Sequence, residues 1–418
     1  MAKRAGRRLA LLLAAPFFGA MAAAAATFEP LPLEEAERLA VAADPAAQRF
    51  RDLAAARGEA AVAAGRLPDP VLITEIMDVP ADTLRLSDDP MTQLRVGVRQ
   101  TFPRGATRRL EGERETALAA VEAARAASAE RAVVRGVRRA YLELHYQQTA
   151  LAVLEANRGL FLDLLEITER EFAAGRATQQ DVLRAELELE RLEDRLQAVE
   201  TDRAVAESAL ARWIGPDHAR RPLSEEAPPL STPGAAPLAE HPSMAAEAAA
   251  RRASRHEVDL ARQGYRPQWT VEVTYGRPTT RSDMDEPDRI SGMVMLDLPL
   301  FTRQRQDRRV AAGMYRQDAA ERAWEERLRD LERDLAEAEA RRDRFAEREE
   351  RYRDRLLPRA AANAEAAEQA YRAGTGDFTA LMRARVLELE ARLDALRVAH
   401  GRRLAEADLL YLLGDQPS

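Results

Sequence analysis

Apolar positions along this chain follow two different periods. In 91–102 (MTQLRVGVRQTF), Leu94, Val96 and Val98 alternate with Arg95, Gly97 and Arg99, which is the pattern of a strand with one apolar and one charged face. In 179–213, Leu183, Leu187, Leu189, Leu192 and Leu196 instead form the stripe of a helix that packs on a partner. These two signatures order the whole chain. Leu33 to Leu67 reads as an alanine-rich helix interrupted at Asp44-Pro45 and stopped by Pro68 and Pro70. Strand candidates follow at 70–78 and 91–102, with a polar loop between them. From Pro103 to Pro216 no other proline occurs, and FAAGRATQQD (172–181) is the only strong breaker: Gly175 ends one helix and Thr178 caps the next. A helix over 104–174 would be roughly 105 Å long at 1.5 Å per residue. Such a rod needs a lateral partner, and 179–213 offers one of half the length.

The order then repeats. Residues 214–241, rich in proline and glycine, read as a connector, followed by a short helix over 242–264. Strands are expected at 268–276 and 290–301 around a polar loop, 277–289. Helix resumes near Thr302, is interrupted at Pro358, breaks at 371–384 (YRAGTGDFTALMRA) and ends at Leu413 before Gly414. Phe172–Leu192 aligns with Tyr371–Leu393, Phe172 on Tyr371 and Gly175 on Gly374, so the chain is an internal duplication. The expected organisation is therefore an N-terminal helical segment (27–69), a first hairpin (70–102), a first long helical hairpin (103–213), a connector (214–241), a helix (242–266), a second hairpin (267–301), a second long helical hairpin (302–413) and a tail (414–418).

Composition sharpens this picture. Charged residues make up 32% of the 418 and aromatics only 5%, with alanine supplying much of the apolar share, which suits long helices better than a large enzyme core. The 70 acidic side chains outnumber the 63 basic ones, and no basic domain suggests a nucleic-acid partner. No cysteine is present, which excludes disulfides, zinc-thiolate sites, thiol nucleophiles and a lipidated N-terminal cysteine. Residues 1–26 read as a signal peptide: Lys3, Arg4, Arg7 and Arg8 precede an apolar run from Leu9, and small residues lead to Ala26. Removing them takes the formal charge from −7 to −11. No later stretch holds 18 consecutive apolar residues, so no spanning helix is expected.

Candidate chemistry is sparse. His145, His218, His241, His256 and His400 are scattered, with no H-E-x-x-H or close His/Asp pairing, so neither a catalytic set, a metal site nor a cofactor is expected. Met293 and Met295, at strand spacing, read as wall residues. Strands of about 9 to 12 residues have the length of tilted bilayer-crossing strands. Four cannot close a barrel, whereas three chains supply twelve, with edges closed between copies. Leu94, Val96, Val98, Trp269, Val271, Val273, Tyr275, Val294 and Leu296 are then expected toward lipid, and Arg95, Arg99, Glu272, Met295 and Asp297 toward a wet lumen. A soluble four-stranded sheet on the helices is the alternative.

RQTFPRGATRRL (99–110), DLPLFTRQR (297–305), Asp44-Pro45 and the Phe/Tyr-x-x-Gly turns at Phe172–Gly175 and Tyr371–Gly374 make the chain resemble the TolC-like outer-membrane efflux channels, more closely those of metal or other tripartite pumps. The resemblance implies a mixed α+β membrane protein: long α-helical coiled-coil hairpins carry a trimeric 12-stranded transmembrane β-barrel, four strands per protomer. It further implies an outer-membrane location with a long periplasmic tunnel, passive conduction, and as partners a periplasmic adaptor, an inner-membrane RND-type transporter and outer-membrane lipid. The two glycine turns would form the periplasmic tip. Gly175, Arg176, Thr178 and Asp181, with Gly374, Thr375, Asp377 and Thr379, are the candidates for a gate or adaptor contact; simple helix capping by Thr178 and Asp377 is the competing reading. A periplasmic coiled-coil adaptor or structural rod without a pore would share the export signal and charged helices but would not need two alternating hairpins.

Overall fold

The computed structural model describes residues 29–224, 226, 228–231, 233–234, 236–279 and 287–414. The expected signal peptide, the middle of the 277–289 loop and the tail beyond Gly414 lie outside the described residues.

Helix α1 (Leu33–Ala43) gives way to α2 (Pro45–Ala64) where the Asp44 carboxylate accepts the Ala46 N–H at 2.7 Å and Pro45 occupies the first position, which needs no donor. Strands β1 (Val71–Met77), β2 (Gln93–Phe102), β3 (Gln268–Pro278) and β4 (Arg289–Asp297) form one antiparallel sheet in the order β1-β2-β3-β4. The last strand is shorter than the expected 290–301. Pro299 has no N–H to give to a ladder, so the chain leaves the sheet at Asp297. Helix expected near Thr302 accordingly begins only at Gln306.

The spine is α3 (Thr107–Ala173), whose 67 residues span about 100 Å at 1.5 Å each. It returns through α4 (Gln179–Ile214). The connector holds a single turn, α5 (Pro216–Ala219), and a bridge from Leu223 to Leu31 that ties it to the N-terminal segment. Beyond α6 (Pro242–Gln263) and the second strand pair comes α7 (Gln306–Arg351). A π-helical turn, Tyr352–Leu356, separates α7 from α8 (Leu357–Arg372). Pro358 accounts for it: lacking an N–H, it cannot close the regular bond to Asp354, and the preceding turn widens. Finally α9 (Phe378–Leu413) runs back along α7 and α8.

Three apolar clusters hold these rods together. One joins α1, the middle of α3 and the end of α4 around Val137, Tyr141 and Leu210, where the buried Tyr141 hydroxyl donates to the Leu31 carbonyl at 2.6 Å. A second joins α3, α4 and the start of α9 through Phe161, Leu192 and Leu381. The third gathers Met244, Leu331 and Leu409 from α6, α7 and α9. On α4 the packing stripe differs from the expected one. Ala185, Leu189, Leu192 and Leu196, spaced by four, three and four, face the core, whereas Leu183 and Leu187 are 56% and 51% exposed because they fall on the opposite side of the helix. No helix among the described residues is long and apolar enough to cross a membrane.

Candidate functional site

Cross-strand partners in an antiparallel sheet share a face, so the register fixes which side chains stand together. Arg99 is opposite Glu272, and its Nε donates to Glu272 Oε2 at 2.8 Å. Arg95 lies opposite Gly276, Glu272 opposite Met293, Thr270 opposite Met295 and Gln268 opposite Asp297. All the residues expected toward a lumen therefore share one face. Its reverse carries Val96 opposite Tyr275, Val98 opposite Val273, Val271 opposite Val294 and Trp269 opposite Leu296, with Leu94 in the same row. Gly97 permits the two central strands to close: a Cβ there would come within 2.4 Å of Thr274 Cγ2 and 2.6 Å of the Val273 carbonyl.

One member of the charged face was not legible in the sequence. Glu75 on β1 is opposite Arg95, but VLITEIM does not alternate, and only the register assigns its side. At the base of the sheet Arg104 pairs with Asp297 and also donates to the Gly264 carbonyl at 3.2 Å.

Far from the sheet along the helices, the two glycine turns are built alike. Gly175 has φ +72° and Gly374 φ +69°, the left-handed geometry that lets a helix C-terminus fold its last N–H groups back on its own carbonyls. Arg176 N and Ala177 N both donate to the Glu171 carbonyl at 2.8 and 3.2 Å; Thr375 N and Gly376 N both donate to that of Ala370 at 3.0 Å. The next helices start on caps. Thr178 Oγ1 accepts from Asp181 N at 3.3 Å while Asp181 Oδ2 accepts from Thr178 N at 3.0 Å, a reciprocal capping box. Asp377 Oδ1 accepts from Ala380 N at 2.6 Å.

The candidate side chains are thus engaged locally. Hydrogen bonds from the Thr178 hydroxyl and N–H hold the Asp181 carboxyl below its usual range. Arg176 forms a bidentate pair with Glu171, at 2.5 and 2.8 Å, which lowers the Glu171 pKa and raises that of Arg176. Thr375 Oγ1 donates back to the Ala370 carbonyl at 3.2 Å.

Thr379 alone among them reaches the other hairpin, accepting from Arg184. A second tie joins the same helices where Arg195 Nη2 meets Glu390 Oε1 at 3.2 Å. Beside it Arg385 bridges Glu368 on α8 and Glu388 on α9. Nothing in local spacing marks Arg184 or Arg195, since their partners come from distant segments; for Arg385 the i,i+3 pair with Glu388 is local, and only the reach to Glu368 is not. The two turns border one groove of about 710 Å³, lined by Glu171, Arg176, Tyr371, Gly374 and Arg385 among others.

One histidine has a plain structural place. His241 is 2% exposed and caps α6, accepting from Ser243 N at 3.2 Å; burial pushes its pKa down to about 4. No cluster of three or more metal-ligating side chains occurs among the described residues.

The sequence model of the family described as outer membrane efflux protein matches residues 43–216 and 236–415, which are the two repeats. The chain belongs to this outer membrane efflux family. Solved structures share its fold: a membrane protein from Pseudomonas aeruginosa superposes with a TM-score of 0.80 at 18% identity, covering 93% of this chain and 92% of that one. The outer membrane protein VceC from Vibrio cholerae gives 0.77 at 17% identity, over 92% and 96%. The CmeC outer membrane channel of Campylobacter jejuni gives 0.77 at 13% identity, over 92% and 87%. No curated protein sequence matches the chain. Membership makes the protein an outer-membrane efflux channel of TolC type, a conduit for efflux.

Proposed function

We propose that three copies of this efflux protein close a twelve-stranded barrel and conduct passively what a periplasmic adaptor and an inner-membrane RND-type transporter deliver. The carrying observation is a sheet that is charged on one face, apolar on the other, and open at both β1 and β4. Open edges leave rows of backbone N–H and C=O groups unpaired, which hydrocarbon does not tolerate. Pairing β4 of each copy with β1 of the next satisfies them, and three repeats of four strands close the ring. In that ring Arg95, Arg99, Glu272, Met295 and Asp297 line the lumen with Glu75, while Val96, Val98, Trp269, Val271 and Leu296 meet lipid. A charge at mid-bilayer on the lipid side costs about 2–4 kcal/mol, so the reverse orientation is disfavoured.

The glycine turns then lie at the periplasmic tip, with Gly175, Arg176, Thr178 and Asp181 beside Gly374, Thr375, Asp377 and Thr379. Arg184–Thr379 and Arg195–Glu390 hold the first helical hairpin against the second, and the adaptor acts on this end. Exposed polar links contribute ~0–1 kcal/mol each, weak enough for a bound partner to rearrange. Because the transporter selects the cargo, the channel needs only a water-filled bore. Purification in detergent followed by imaging and by electrophoresis of unheated and heated samples tests the assembly. A hollow rod roughly 100 Å long below a short barrel, migrating as a trimer until heated, is expected; a monomeric solid rod overturns it.

A further inference from the structure

The chain passes between helix and sheet four times, and each crossing carries arginine. Arg66 precedes β1, Arg104 and Arg108 follow β2 with Arg109, and Arg266 precedes β3. After β4 come Arg303, Arg305, Arg308 and Arg309. Two of these cations are matched within the chain, Arg104 by Asp297 and Arg109 by Glu113 at 2.5 Å. The others are exposed and make no ion pair among the described residues. Two further carboxylates lie in the crossings: Asp69, and Asp307, which accepts from the Tyr265 hydroxyl at 2.7 Å. Arg108 and Arg308 sit in the first turns of α3 and α7, where the helix end is itself positive, and so add to that charge instead of offsetting it.

Apolar surface adjoins the last crossing. Leu298, Leu300 and Phe301 are 55%, 75% and 90% exposed, a cost that water alone does not repay. They continue the apolar face of the sheet, whose row nearest the helices is Leu296, Trp269 and Phe102 across three strands. Apolar side chains flanked by guanidinium groups match the two layers of a phospholipid leaflet, chains and phosphates. A second copy is the poorer match. In the proposed ring the segment brought beside this one is 65–70 of the neighbouring copy, whose Arg66 and Asp69 cancel and leave the four arginines unanswered.

We propose that these crossings form a basic collar that binds the anionic headgroups of phospholipids on the helix side of the bilayer, with Leu300 and Phe301 set among the chains. The collar rests on the reading of the sheet as bilayer-spanning and names the lipid class that the sheet's rim prefers.

The test uses the full chain in detergent and follows its thermal midpoint by circular dichroism as phosphatidylglycerol or phosphatidylcholine is added at equal mole fraction. Wild type is compared with R303Q/R305Q/R308Q/R309Q, with R303K/R305K/R308K/R309K and with F301S. Phosphatidylglycerol should raise the wild-type midpoint saturably and further than phosphatidylcholine, and the excess should shrink at high salt. The glutamine variant should lose that excess and keep the phosphatidylcholine response. The lysine variant, which keeps the charges, should retain the excess, and F301S should lower both responses. The proposal is overturned if wild type responds alike to the two lipids, or if the glutamine variant keeps the full excess. It is also overturned, in favour of a second copy on the patch, if F301S leaves both lipid responses unchanged but lowers the temperature at which the oligomer dissociates on gels. Should four substitutions prevent folding, R308Q/R309Q decides: a reduced excess supports the collar and an undiminished one overturns it. A trimeric barrel without lipid preference removes the collar alone, whereas a monomer that still prefers phosphatidylglycerol through these arginines removes the trimer and keeps the collar.

Discussion

Two glycines here do different jobs, and their alanine variants should separate them. Gly374 has open space where a Cβ would stand, so alanine meets only the left-handed backbone penalty of about 1–2 kcal/mol. Gly97 has ordinary strand geometry but no room, because Thr274 and the Val273 carbonyl occupy the space. Gly97→Ala should therefore reduce assembled oligomer sharply, whereas Gly374→Ala should assemble and merely fray the second turn in hydrogen exchange. Asp181 supplies a pH test of the first turn. Its folded pKa is depressed, so its stabilising share is present above the unfolded carboxylate value, about 3.9, and is lost as pH falls through the lower folded value. Amide exchange over 178–184 should rise in that acid window in the parent and lose its pH dependence in Asp181→Asn. A flat profile in the parent would show that the box does not hold the turn.

At the scale of elements, the alternating β2 pattern and the α3–α4 breaker were readable because each rests on local chemistry: period two, a glycine and a cap. The α4 stripe was only half readable. Counting leucines includes Leu183 and Leu187, but the face in contact with α3 is set by Ala185, a small residue that hydropathy underweights. Leu192→Ala should destabilise the α3–α4 hairpin by about 2–5 kcal/mol. Leu187→Ala should leave that hairpin's exchange protection unchanged, and any effect it has should appear in oligomer dissociation. Similarly, Pro358 was visible while the π-turn before it was not, since the widening is a response of the preceding backbone to the missing N–H. The ties from Arg184, Arg195 and Arg385 were beyond reach for a different reason: a polyionic helix surface offers many equivalent arginines, and only the fold selects partners.

On the scale of the whole molecule, the apolar and charged faces of the sheet can be told apart by chemistry, because the chain contains no cysteine of its own. Single cysteines at 95 and 99 should react with impermeant thiol reagents in intact membranes while those at 94, 96 and 98 stay protected. The inverse pattern would turn the barrel inside out. The ties between hairpins make a second prediction: R184A combined with R195A should leave the trimer assembled and raise single-channel conductance, and an unchanged conductance would reduce both links to surface contacts.

Ionic preference follows from where charges sit in relation to the bore. A formal charge of −11 per mature chain biases conduction little, because most of it lies on helix surfaces in bulk solvent, where fields fade over ~8–10 Å. The narrow end matters most. If, as proposed, that end is formed by the glycine turns of three copies, Arg176 is matched by Glu171 in its own turn and so does not cancel a ring of Asp181 or Asp377. Asp181 keeps its charge while capping, because hydrogen bonds from Thr178 hold its carboxyl below the usual range, and Asp377 caps α9 through Ala380 N–H. On the face proposed to line the lumen, the Arg99–Glu272 pair is neutral as a unit, as is Arg104–Asp297 at the base of the sheet, and Glu75 stands opposite Arg95. The balance therefore falls to the tip, and mild cation selectivity, stronger at low salt, is expected of the channel. Reversal potentials across a salt gradient measure it directly. Asp181→Asn with Asp377→Asn should move the reversal potential toward zero; anion selectivity in the parent, or no movement in the double variant, would place the conducting constriction elsewhere.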